Sequence, residues 1–244
     1  MSRVFITGSV EGLGRGAAEE LLDGGHRVVV HARSEQRLTT LRDLLDRGAE
    51  AVVGDLADPD ETRSVAEQVN RLGRMDAVIH NAAVMNGPGV LAVNVLAPYL
   101  LTALIDRPDR LVYLSSGMHR GGRSGRAALD WGSNGSSVSY SDSKLLVSTL
   151  AAAVARRWPD VLSNSVNPGW VPTRMGGSSA PDDLRLGHVT QVWLATSYDQ
   201  DAQTSGHYWH HQRTAAEHPA VLDVRFQDEL LAALADRTGT ALGG

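Results

Sequence analysis

Short β-branched runs alternate with helical patterns along most of the chain, and that alternation restricts the fold more than any other feature. RVFIT (3–7) reads as a buried strand, and helical periodicity follows from Gly12 to Leu22. RVVVH (27–31) precedes a predicted helix over 34–46, and AVVGD (51–55) precedes one over 59–72. DAVIH (76–80), RLVYLS (110–115) and LSNSVNP (162–168) are further strands. Strands separated by helices imply crossover connections, hence an α/β fold: a doubly wound parallel sheet with helices on both faces. No linker or repeat divides residues 1–244, so a single domain is expected. DVRFQDELLAALADRTG (223–239) predicts a final amphipathic helix stopped by Gly239.

The first strand runs into TGSVEGLG, with Gly8, Gly12 and Gly14 opening the first helix. Such a turn lets a pyrophosphate approach backbone N–H groups at the positive end of a helix. The second strand ends in HARS (31–34). A site selective for NAD places a carboxylate there to hold the ribose 2′-hydroxyl. Here Ala32 and Arg33 stand instead, and a guanidinium pairs with a 2′-phosphate, with Ser34 as a second donor. NADP, as NADPH, is therefore the expected cofactor, with NAD possible; Glu11 adds a negative charge to the loop.

A formal charge of −5 gives no electrostatic footprint for nucleic acid or acidic membranes. The absence of cysteine excludes disulfides, thiolate metal sites and cysteine nucleophiles. No stretch reaches the roughly 20 apolar residues of a membrane span, and no signal-peptide pattern opens the chain. A cytoplasmic protein is expected. His207, His210 and His211 lack a carboxylate at ligand spacing, so no metal is assigned.

Among 23 Lys and Arg positions, Lys144 is the one lysine, and it lies in YSDSK (140–144). A chain that otherwise writes arginine uses here the compact cation with a movable pKa. Tyr140 and Lys144 are one helical turn apart and share a face. At about 5 Å and an effective dielectric near 20, one positive charge favours phenolate by roughly 3 kcal/mol, about two pKa units. That would bring the phenol toward working pH, where it can both give and take a proton.

With TGSVEGLG, GDL (54–56), HNAA (80–83), YSDSK and NPGWVPT (167–173) in order, the chain resembles the short-chain dehydrogenase/reductase family, in its classical branch. The segment between Ser116 and Tyr140 and the ending SGHYW (205–209) are similar to retinol-dehydrogenase-like members. The resemblance implies a Rossmann-type fold and an oxidoreductase that moves hydride between a nicotinamide and a carbonyl or secondary alcohol. It implies catalytic roles for Asn94, Ser116, Tyr140 and Lys144: Tyr140 as proton donor, Ser116 holding the substrate oxygen, Asn94 holding a water that links Lys144 to solvent. The implied cofactor contacts are Gly8, Ser9, Glu11, Gly12, Leu13, Gly14, Arg33, Ser34, Asp55, Leu56, Asn81, Ala82, Ala83, Tyr140, Lys144, Pro168, Gly169, Val171 and Thr173. Thr173 matches the carboxamide contact.

The substrate site is expected from the loops 117–139 and 170–181, with Gly117, Met118 and Trp170 in its wall and Trp131 a further candidate. Only residues 174–180 separate Thr173 from the helical pattern PDDLRLGHVTQVWLATS, so the lid is short and the site open to bulky molecules. His119 is either a pocket or a surface residue. By analogy the chain forms a homodimer or homotetramer through the region of LLVSTLAAAVA (145–155), a run equally compatible with core packing. The competing function is a non-catalytic NAD(P)-sensing regulator, which would have no need of Ser116, Tyr140 and Lys144 together.

Overall fold

The computed structural model describes residues 1–132, 135 and 137–243. Ser133, Asn134 and Ser136 of the 117–139 loop, and Gly244, lie outside the described residues. The strands are β1 (Arg3–Ile6), β2 (Arg27–Ala32), β3 (Glu50–Val53), β4 (Ala77–His80), β5 (Arg110–Leu114), β6 (Leu162–Asn167), β7 (Tyr208–His210) and β8 (Arg213–Thr214). They form one sheet in the order β3-β2-β1-β4-β5-β6-β7-β8, parallel except for the β7–β8 hairpin. The helices are α1 (Gly12–Asp23), α2 (Glu35–Leu38), α3 (Arg42–Asp46), α4 (Pro59–Leu72), α5 (Ala97–Leu104), α6 (Arg126–Leu129), α7 (Tyr140–Arg157), α8 (Leu186–Thr196) and α9 (Val224–Thr238).

Both faces of the sheet are covered. Val4 and Ile6 pack with Ala17 and Leu21 of α1 and Leu194 of α8 on one side. Phe5, one residue between, packs with Val65 of α4, Tyr99 of α5 and Leu150 of α7 on the other. Alternate burial on two faces explains why these strands read as unbroken apolar runs. The strand order reverses between β1 and β4, which opens a crevice beyond their C-terminal ends.

One expectation changes, one element was not foreseen, and the packing of one run is now visible. The helix predicted over 34–46 is broken into α2, a 3₁₀ turn (Thr39–Leu41) and α3. The β-branched pair Thr39-Thr40 stands at the break: Thr39 Oγ1 bonds back to Gln36 O at 2.9 Å, and Arg15 takes the Thr40 carbonyl at 2.9 Å. The β7–β8 hairpin was not legible, because a three-residue strand carries too little periodicity. The run 145–155 is spent on internal packing. Leu146, Leu150 and Val154 contact the Phe226–Leu230–Leu234 face of α9, while Leu145 and Ala152 pack on Val221.

Candidate active site

A cleft of about 350 Å³ occupies the crevice. Its floor begins at the glycine loop. Gly8 and Gly12 have φ of +66° and +61°, and a Cβ on Gly8 would lie 3.0 Å from Ala82 Cα. At Gly14 a Cβ would lie 2.4 Å from Asn81 Nδ2. Asn81 fastens the turn, donating from Nδ2 to Thr7 O at 2.9 Å. No side chain caps the N-terminus of α1, so its first-turn N–H groups are left for an anion. This cradle, with glycine at Gly8 and Gly12 and at the positive end of a helix, fits the pyrophosphate of a dinucleotide.

Gly8, Glu11, Gly12, Leu13, Asn81, Ala82 and Ala83 line the cleft. Ser9 and Gly14 do not. Ser9 is fully buried, donating to Ile6 O and accepting the His31 N–H at 3.1 Å, so its hydroxyl shapes the loop rather than the cleft. At the outer end stand Arg33, Asp55 and Leu56, joined by Arg37 from the next helical turn. Ser34 is absent from the lining; it begins α2 in extended conformation. The Glu11 carboxylate lies between two guanidinium groups, 3.4 Å from Arg37 and 3.6 Å from Arg174. The negative charge expected to disfavour a phosphate is thereby compensated.

The inner end is built by α7. Ser139 and Asp142 form a capping box: the Ser139 hydroxyl accepts from Asp142 N at 3.1 Å and Asp142 Oδ2 from Ser139 N at 3.1 Å. Arg123 clamps the same carboxylate from the 117–139 loop, with Nη2 at 2.8 Å. The helix start is thus fixed, with Tyr140 in its first position. Tyr140 and Lys144 both line the cleft. Lys144 is 2 % exposed and donates from Nζ to Leu114 O at 2.6 Å. Burial pulls its pKa down to about 7. Burial also pushes the Tyr140 phenol upward, opposed by the neighbouring Ser116 hydroxyl. The expected lowering of the phenol by the lysine is therefore not what the folded chain presents. The amine is turned toward a backbone carbonyl, and burial is the largest influence on the phenol.

Asn94 lies in a π-helical turn (Ala92–Leu96) leading into α5, a local widening that recurs at functional sites. Its Nδ2 donates to Val84 O and Ser143 Oγ, both at 2.9 Å, and its Oδ1 accepts Val84 N at 2.8 Å. With both amide hydrogens spent on protein acceptors, the side chain clamps residue 84 and ties it to α7. Ser116 does not line the cleft, where Ser115 stands; its Oγ accepts the Met118 N–H at 3.2 Å.

Pro168, Thr173, Arg174 and Met175 close the near wall, and Met175 Sδ is 4.0 Å from the Tyr140 hydroxyl. Gly169 and Val171 lie behind it, Val171 buried and Gly169 leaving room for Asp182, which accepts the Trp170 N–H at 2.6 Å. Gly117 and Met118 lie outside the lining, Met118 exposed. Trp170 is 57 % exposed, its indole fixed by a 2.8 Å bond from Nε1 to Gly176 O. Trp131 is a core residue bonded to Ala128 O, not a pocket wall. The lid is longer than expected. Asp182 is committed to Trp170 and Asp183 caps Arg185 N and Leu186 N, so α8 starts only at Leu186.

Sequence reasoning missed His31, Arg37, Arg174 and Met175, all in the cleft wall. Arg37 was accessible in principle, since it stands one turn beyond Arg33. The others are brought in by neighbouring strands and loops.

A model of the short chain dehydrogenase family matches residues 2–102. A short-chain dehydrogenase of Penicillium rubens is 37% identical over 99% of this chain and 99% of its own. Retinol dehydrogenase 14 of Homo sapiens is 32% identical over 71% of this chain and 62% of its own. The crystal structure of a blue fluorescent protein from a metagenomic library, in complex with NADPH, has the same fold. Its TM-score is 0.70 at 21% identity, covering 86% of this chain and 95% of that one.

Proposed function

This chain belongs to the short-chain dehydrogenase/reductase family and is an oxidoreductase of that family, and from this premise we propose that it is an NADP(H)-dependent reductase of bulky organic carbonyls, or dehydrogenase of the corresponding secondary alcohols. One observation carries the reading: the cleft that opens on the glycine loop ends on Tyr140 and Lys144. A bound nicotinamide supplies the hydride. Gly8, Gly12 and the first turn of α1 would hold the pyrophosphate, Asp55 and Leu56 the adenine side, and Pro168 and Thr173 the nicotinamide end. Arg33 favours the 2′-phosphate form; it is exposed at the rim, with Arg37 beside it in the wall.

In the reductive direction Tyr140 gives its proton to the substrate oxygen while Ser116 donates a hydrogen bond to it. The phenolate left on Tyr140 is stabilised by the Lys144 cation, 5.4 Å from the ring centre, and is reprotonated from solvent through that amine. Met118, Met175 and Trp170 are 53 %, 39 % and 57 % exposed. Of these Met175 lines the cleft beside the Tyr140 hydroxyl, and apolar side chains left open there and on the flanking loops suit a substrate with rings of its own. The resemblance to retinol dehydrogenase 14 agrees with that class. Any assembly of copies would use a face other than the one α9 covers on α7.

The test is a panel of carbonyl compounds of graded size, with NADPH and NADH, with Tyr140→Phe as control. Turnover of ring-bearing carbonyls with NADPH, lost in the control, is expected. Turnover that survives in Tyr140→Phe overturns the mechanism, and its absence across the panel with retained NADPH binding favours the sensor.

A further inference from the structure

We infer that His119 is a positioning residue for Ser116, acting through the serine's carbonyl; this rests on the reading that Ser116 holds the substrate oxygen. His119 lies in the 3₁₀ turn Gly117–Gly121 directly after Ser116 and is 0 % exposed. Its Nδ1 is 2.7 Å from Ser116 O, and its Nε2 is 3.0 Å from His218 N. A carbonyl can only accept and a backbone N–H can only donate, so these partners dictate the tautomer: Nδ1 carries the proton and Nε2 is bare. Burial, the largest influence on the ring, acts in the same sense by disfavouring the charged form.

The consequence for Ser116 is geometric. Its carbonyl accepts both the His119 backbone N–H, at 3.1 Å, and the His119 ring, so both lone pairs are used. With the carbonyl fixed on one side of Cα and Oγ held by the Met118 N–H on the other, Ser116 has little freedom to turn its hydroxyl away from Tyr140. The far side of the ring is anchored. His218 N–H grips Nε2, Arg120 donates to Ala216 O at 2.6 Å, and the Tyr208 ring lies 4.5 Å from the His119 ring. The turn that carries Ser116 is therefore braced by a segment almost a hundred residues later in the chain.

The two bonds can be separated by substitution. His119→Asn places an amide donor where Nδ1 stands and keeps the Ser116 bond while losing the one to His218. His119→Gln reaches the Nε2 position and does the reverse. His218→Pro removes the outer donor's hydrogen at residue 218, whose φ of −65° already suits proline, together with the ring that accepts the Ala220 N–H at 3.1 Å. Measured on the full chain, with NADPH affinity followed by fluorescence titration, all three are expected to bind the cofactor as the parent does. His119→Gln is expected to lose about ten- to a hundredfold in kcat with little change in KM, whereas His119→Asn and His218→Pro stay within about threefold. Equal losses in all three, or none in His119→Gln, overturn the inference. Ser116→Ala in parallel separates the two claims: undiminished turnover there defeats the role of Ser116 itself.

Discussion

The Lys144 amine stands 5.4 Å from the centre of the Tyr140 ring, yet it donates its 2.6 Å hydrogen bond to the Leu114 carbonyl. Both groups are pushed toward their neutral forms by burial, the lysine down to about 7 and the phenol above its ordinary range. The folded chain thus holds a proton pair whose charged forms are disfavoured until something in the cleft compensates them.

Stability should carry that mark. The folded chain binds the Lys144 proton less tightly than the unfolded chain, where the ordinary value is 10.5. Between about pH 7 and 10.5 the unfolded state therefore holds more protons, and stability rises with pH across that window. Below about 7 the penalty is fully present. Replacing Lys144 by Met removes it. We expect Tm at pH 7 to rise by a few degrees and turnover to fall at least a hundredfold, as read by calorimetry and steady-state rates. A lower Tm would contradict a net desolvation penalty at this site.

The direction of the Tyr140 shift sets the pH profiles. A phenol raised above its ordinary value stays protonated through neutral pH, so carbonyl reduction should be insensitive to phenol ionisation from about pH 6 to 9. Alcohol oxidation needs the phenolate and should climb with pH through the same range. Rates measured in both directions check this; oxidation that levels off near pH 7 would show a lowered phenol instead.

Cofactor choice should depend on two arginines. Arg33→Ala is expected to weaken NADPH binding about tenfold or more while leaving NADH unchanged, and Arg37→Ala to act in the same direction but less, because Arg37 is shared with Glu11. Titration of each variant with both nucleotides gives the ratio. Unchanged discrimination in Arg33→Ala would remove the basis for NADP.

The His31 ring ties the glycine loop to the third strand: Nδ1 accepts Gly8 N–H at 3.0 Å and Nε2 donates to Gly54 O at 2.8 Å. His31→Leu leaves that N–H and that carbonyl without their partner inside the fold. A loss of about 1–3 kcal/mol in stability is expected, together with weaker NADPH binding. Denaturant melts and fluorescence titration measure the two; an unchanged melt would show the loop to be held by its glycines alone.

The alternating periodicities determined the sheet, its parallel sense and the two helical layers, because burial on both faces imposes a local pattern that each segment carries by itself. The glycine loop and YSDSK were equally local, since a left-handed turn and a one-turn spacing are properties of neighbouring residues. Tertiary structure alone decided the rest. Glu11 meets Arg174, His119 meets His218, and α9 covers α7 through contacts between residues far apart in the chain, which no short window encodes. The protonation of Tyr140 and Lys144 belongs to the same class: spacing places one group beside the other, but how much water surrounds them is set by the whole fold, and burial is the largest influence on each.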